Sequence, residues 1–178
     1  APADSTADTT ARVGFADLLR AEDAMIYVAE EDAVPGEFGF GQTPGFLISA
    51  DGLALVPGLR IVGTQTHFVW VGDADEPVAA EFVAADECLD LALIDLEGGD
   101  YPFLEFGDPE LARGGEVYGP IWSGARARYE LIDGVVESLD NPGNTTGLSV
   151  PGLTRYQTAE NTARFGPVVN EDGEVVGL

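Results

Sequence analysis

The sequence predicts an all-β protein of antiparallel strands with one short helix near its start. Three observations carry this. Short runs of β-forming residues recur along most of the chain, Gly, Pro and Asn punctuate them, and helical spacing is confined to one early segment. A length of 178 residues suits one large domain or two small barrels sharing a core, and 45% hydrophobic residues suffice for a packed interior. Many short strands at regular spacing indicate an antiparallel barrel or sandwich.

Residues 1–12, beginning "APADSTADTT", are small and polar and read as a flexible leader. They have the character of the start of a mature secreted protein, which points to the periplasm or the cell exterior. Phe15, Leu18 and Leu19 stand at helical spacing, so a short helix is expected ahead of a strand near Met25–Ala29. "GFLISADGLALVPG" is a run of β-formers, an Asp-Gly turn and a second run, which predicts a hairpin. "HFVWVGDADEPVAAEFVAAD" supplies two more strands around an acidic turn. "LDLALIDL" alternates Leu89, Leu91 and Leu93 with Asp90, Ala92 and Ile94, as a strand with one strongly apolar face would. "GGEVYGPIW", "RYELIDGVVESL", "GLTRYQTA" and "GPVVNEDGEVVGL" complete the strand series. Between them, residues 138–153 hold Pro142, Gly143, Pro151 and Gly152 and read as a mobile surface loop. Trp70 and Trp122 are expected to pack in or between the barrels, Trp122 on a connecting loop and partly exposed.

Charge excludes some functions. The chain has 32 Asp and Glu against 8 basic residues, all Arg, for a net charge of -24. Such a surface repels phosphate backbones, so no nucleic acid is expected as a partner. No apolar run approaches the roughly 18–20 residues that span a bilayer, so no membrane insertion is expected. Two explanations of the acidity compete: adaptation to high salt, and a face made for a basic partner. The acids are spread from Asp4 to Glu174 rather than gathered, which favours the first.

The order of motifs resembles the trypsin-like serine proteases of the HtrA (Deg) type from about residue 12 onward. "GFLISADGLALV" is similar to the stretch leading to the catalytic His, "ADECLDLALIDL" to the segment bearing the catalytic Asp, and "YPFLEFGDPELARGGEVYGPIWSG" to the linker between barrels. "IDGVVESL" and "GPVVNEDGEVVGL" resemble strands of the second barrel, the latter following the nucleophile. The resemblance implies two packed antiparallel six-stranded barrels, the first over about 24–98 and the second over about 113–178. They would form a single trypsin-like domain over 13–178.

That chemistry needs a hydroxyl nucleophile, an imidazole base and a carboxylate to orient it. Carried over residue by residue, Asp90 matches the family's Asp. Leu59 falls at the His position, or Arg60 if the register slips by one, and neither is a general base near neutral pH. Arg164 falls at the Ser position, in a loop about three residues short. Beside it Ala163, Phe165 and Gly166 occupy the oxyanion-loop positions, with bulky Phe165 in place of a Gly. The triad positions are thus degenerate, and the resemblance implies a pseudoprotease. It would bind protein or extended peptide by strand addition, which needs no triad. The alternatives are a serine-type peptidase with a displaced nucleophile, Ser149 or Thr145, and a structural assembly domain of a larger envelope protein.

The remaining candidates have simpler readings. His67, the only histidine, is expected at the surface or rim of the strand after the His loop. Lone Cys88 excludes an intrachain disulfide and is expected as an inert thiol entering a buried strand. Asp90 without an imidazole would cap backbone amides or pair with Arg60 or Arg164. "GDADEP" and "EDGE" offer oxygen ligands but not the twelve-residue calcium-loop pattern, so solvated turns are favoured. No metal and no cofactor are expected.

Overall fold

The computed structural model describes residues 13–29, 43–58, 61, 66–108, 111–123, 128–145, 148–158 and 166–178. Helix α1 (Val13–Asp23) leads directly into β1 (Met25–Ala29). Leu18 packs on the core and Ala21 is buried, while Leu19 faces outward; the Phe15 side chain lies outside what is described. Strands β2 (Thr43–Leu47), β3 (Leu53–Pro57), β4 (Thr66–Val71), β5 (Val78–Asp86) and β6 (Leu91–Leu96) close with β1 into a barrel of order β1-β2-β3-β6-β5-β4. Closure leaves this sheet no free edge.

The barrel is held by a small interior of Ile26, Val28, Leu47, Ala54, Val56, Ile61, Val69, Ala80, Ala92, Ile94 and Leu96. Alanines on three strands leave room for the branched side chains opposite, as a narrow barrel requires. All five residues of β1 are buried because each face serves a different core. Ile26 and Val28 point into the barrel, and Met25, Tyr27 and Ala29 point out into the contact with the second sheet. The Asp51-Gly52 turn of the β2–β3 hairpin needs its glycine, since Gly52 has φ 114 and stands against the Leu96 carbonyl.

The second unit is a sheet of five strands in the order β11-β10-β7-β8-β9, open rather than closed among the described residues. Its strands are β7 (Glu116–Ser123), β8 (Arg128–Thr145), β9 (Leu148–Thr158), β10 (Val168–Val169) and β11 (Val175–Gly177). The expected 138–153 loop is instead the far half of a long β8–β9 hairpin, paired out to Thr145 opposite Leu148. Its register shifts between Ser138 and Asn141 and between Asn141 and Gly143. Those irregularities absorb Pro142, which has no amide to give to a ladder. Trp122 likewise lies within β7 rather than on a loop.

An aromatic series joins the two units. Tyr27 stacks on Trp70 at 5.1 Å, Trp122 meets Tyr27 edge-on at 5.3 Å, and Tyr129 meets Trp122 edge-on at 5.2 Å. Such pairs contribute about 0.5–1.5 kcal/mol each beyond burial. Around them, Phe46 and Met25 of the barrel join Val169 and Val175 of the sheet in one core.

Two details of β6 differ from the sequence reading. Its buried face is Ala92, Ile94 and Leu96, while Leu91 and Leu93 are half-buried and Leu89 is exposed. Cys88 is exposed too, not in the core. The cause is local: the Asp86 carboxylate accepts hydrogen bonds from the amides of Cys88 (2.9 Å) and Leu89 (3.2 Å). That Asx turn ends β5 and delays β6 until Leu91, leaving Cys88 and Leu89 outside the sheet.

Candidate functional site

Asp90 closes the turn that enters β6. It is half-buried with φ 55, in the left-handed region that Asp tolerates better than most residues. Its carbonyl accepts a 2.8 Å hydrogen bond from the Gly58 amide, just beyond the end of β3. This bond ties the Asp90 turn to the chain one residue before Leu59. Gly58 in turn accepts from the Ile61 amide at 3.1 Å, and Ile61 is anchored in the barrel interior. Leu59 and Arg60 themselves lie outside the described residues.

On the second sheet, Gly166 is buried at the entry to β10 and packs against Pro120 of β7. A Cβ at Gly166 would stand 2.3 Å from the Pro120 ring, so only glycine fits. Ala163, Arg164 and Phe165 lie outside the described residues, as does any contact of Arg164 with Asp90. Ser149 and Thr145 belong to the β8–β9 hairpin, and their side chains are likewise not described.

His67 is not at the surface. It is 7% exposed, sits on β4 opposite Ala80, and shares the interior-facing parity of Val69. The sequence stretch "THFVWV" hides this because both faces of β4 are covered, one by the barrel interior and the other by the second sheet. Alternation therefore gave no signal for which face was wet.

The sequence reading also missed an ion pair between the units. Glu22, 8% exposed on the last turn of α1, accepts from the Arg128 guanidinium at 3.1 Å and from the Leu131 amide at 2.9 Å. Arg128 also lies 3.6 Å from Asp23 and 3.9 Å from Asp73. Carboxylates in a helix's last turn oppose its dipole, and the guanidinium offsets that cost. Glu22 and Arg128 stand 106 positions apart, so no local pattern could announce the pair.

Burial pushes the Tyr27 hydroxyl up to about 12. Tyr156 is raised by burial as well, and Tyr118 by burial and then by Glu116, Glu171 and Asp133. Among the described residues no group of three or more His, Cys, Asp and Glu could hold an ion. In "NEDGE", the Asn170 side-chain oxygen accepts from the Asp172 and Glu174 amides and fixes the turn. A cleft of 60 Å³ between α1 and that turn, lined by Asp17, Arg20, Glu105 and Asp172, has room for about two waters and not for a peptide. No helix among the described residues is long and apolar enough to cross a membrane.

Comparison with known proteins agrees with this architecture. The chain is 33% identical over 140 residues to the probable periplasmic serine endoprotease DegP-like of Marinomonas sp. (strain MWYL1), a match covering 75% of this chain and 28% of that protein. It is 33% identical over 139 residues to serine protease HTRA1 of Xenopus laevis, covering 75% of this chain and 30% of the relative. The chain thus spans less than a third of either curated relative. The crystal structure of Rv3671c protease in its inactive form superposes with a TM-score of 0.68 at 18% identity, over 100% of this chain and 86% of that one. That likeness shows the fold. The sequence profile of the trypsin-like peptidase domain matches residues 44–178, most of the chain, and the protein belongs to that family.

Proposed function

We propose that this chain is a catalytically inactive trypsin-like domain that engages a protein or extended peptide. The observation that carries the reading is the position of the only histidine. His67 is committed to the barrel interior on β4, not to the Gly58–Ile61 turn that approaches Asp90. Without an imidazole there, Asp90 has no histidine to orient, and the usual route for taking a proton from a serine is missing. The sequence supports the same reading through Leu59 at the His position and Arg164 at the Ser position. Several powers of ten in rate are lost when one triad member is missing.

The two-unit framework that would bind an extended segment does not depend on the triad, because strand addition rests on backbone hydrogen bonds. The acidity fits a salt-adapted surface, and the DegP-like relatives, named as periplasmic, support a periplasmic or extracellular location. The test is a panel of extended peptides incubated with the protein. Peptides recovered bound and intact agree with the proposal. Turnover at a defined bond, abolished by a serine-protease inhibitor, contradicts it.

A further inference from the structure

Three of the eight large apolar side chains left exposed among the described residues, Phe82, Val83 and Leu89, fall on β5 and the turn that follows it. Ala92 and Ile94 point into the barrel, so Leu91, Leu93 and Asp95 lie on the outer face of the β5–β6 hairpin. Their register partners are Asp86, Ala84 and Glu81. Val83 is the extra residue of a bulge between the Phe82 and Ala84 pairings, and it is 49% exposed. The outer face is therefore apolar at its middle, with Val83, Ala84 and Leu93, and acidic at both ends.

One end is costly as it stands. Glu81 is directly opposite Asp95, both are exposed, and like charges so placed destabilise a sheet. Neither is paired with a cation among the described residues, and no Lys or Arg stands anywhere between Arg60 and Arg113. A positive side chain set between the two carboxylates would relieve the repulsion, while neighbouring apolar groups covered Val83 and Leu93. A second copy of this chain is the wrong occupant, because it would bring the same carboxylates to face these. We propose that the outer face of the β5–β6 hairpin docks a cationic amphipathic segment of a partner protein.

This surface is the outside of the barrel wall, so the proposal holds whether the domain cleaves peptides or only binds them. The test uses the whole chain at low salt with a short synthetic peptide of alternating Val and Lys, followed by NMR shift mapping and fluorescence anisotropy. Shift changes should concentrate on residues 81–95. Glu81→Gln with Asp95→Asn should weaken binding by about tenfold, and Val83→Ser with Leu89→Ser by a similar factor. Glu116→Gln with Asp133→Asn, an equal charge change on the second sheet, should alter it less than about twofold. The Glu81→Gln, Asp95→Asn protein should also melt higher than the parent without peptide, since the repulsion is gone. Equal losses in both charge pairs would reduce the binding to the general attraction of an acidic protein and overturn the proposal. Shift changes centred elsewhere, or self-association through this face, would overturn it as well.

Discussion

Glu22 and Arg128 join the helix that precedes the barrel to the first residue of β8, at 3.1 Å and almost out of solvent. Glu22 satisfies the Leu131 amide with its other oxygen, so the carboxylate serves both a charge and a backbone donor. Among the described residues, Glu22→Ala leaves Arg128 with only the longer contacts to Asp23 and Asp73, and it should destabilise by about 3 kcal/mol. Arg128→Met on that background should recover part of the loss, because the buried charge is then removed rather than orphaned. Urea unfolding of the two single variants and the double variant measures the coupling. Additive losses would show that the residues act separately.

Tyr27 lies at the centre of the contact between the units, stacked on Trp70 and met edge-on by Trp122. Its hydroxyl is raised from 10.0 to about 12 by burial, so the folded state holds that proton more tightly than the unfolded chain does. The contribution is complete below pH 10 and is lost as pH rises toward 12. Absorbance titration should show tyrosines ionising late, Tyr27 among them and together with unfolding. Tyr27→Phe should lower the amplitude of the late step, and an unchanged amplitude would assign that step to the other tyrosines.

Asp90 has a backbone reason to be an aspartate whatever its chemistry. At φ 55 a β-branched residue is disfavoured, and the Gly58–Asp90 hydrogen bond needs the turn as it stands. Asp90→Gly keeps the left-handed turn without strain, whereas Asp90→Val should cost about 1–2 kcal/mol through the backbone alone. Thermal melts of both variants check this. A large loss with glycine would show that the carboxylate itself is structural.

The carboxylate surface predicts a salt response. With a net charge of -24, self-repulsion should weaken the fold in dilute buffer and relax as the Debye length falls from about 30 Å at 0.01 M to about 3 Å at 1 M. Tm should rise with sodium chloride and keep rising above about 0.15 M. A flat profile beyond that point would favour a basic partner as the cause of the acidity.

The strand sequence was legible because each strand had a local signature: the Asp51-Gly52 turn, the β-formers of β4, and the Gly and Pro breaks around β7. What stayed hidden was set by non-local contacts. Which face of β6 is buried depends on Ile94 pairing with Ala54 on the neighbouring strand β3, and the exposure of Cys88 on an Asx turn at Asp86. The length of the β8–β9 hairpin could not be read through Pro142 and Gly143, because bulges let strands pass residues that usually end them. The burial of His67 followed from barrel closure, which one strand does not announce. Of the residues singled out by motif, Asp90 stands at the mouth of β6 and Gly166 at the entry to β10, while the role of each at a site remains part of the proposal.

Intact-mass analysis after treatment with a serine-directed fluorophosphonate tests the central proposal most directly. A hydroxyl nucleophile activated by any arrangement of neighbours is captured as a stable adduct of one label per chain. If Leu59 and Arg164 stand at the proton-transfer positions as proposed, and with His67 inside the barrel, the mass should remain that of the unmodified protein. A stoichiometric adduct on any serine or threonine, Ser149 and Thr145 included, would contradict it.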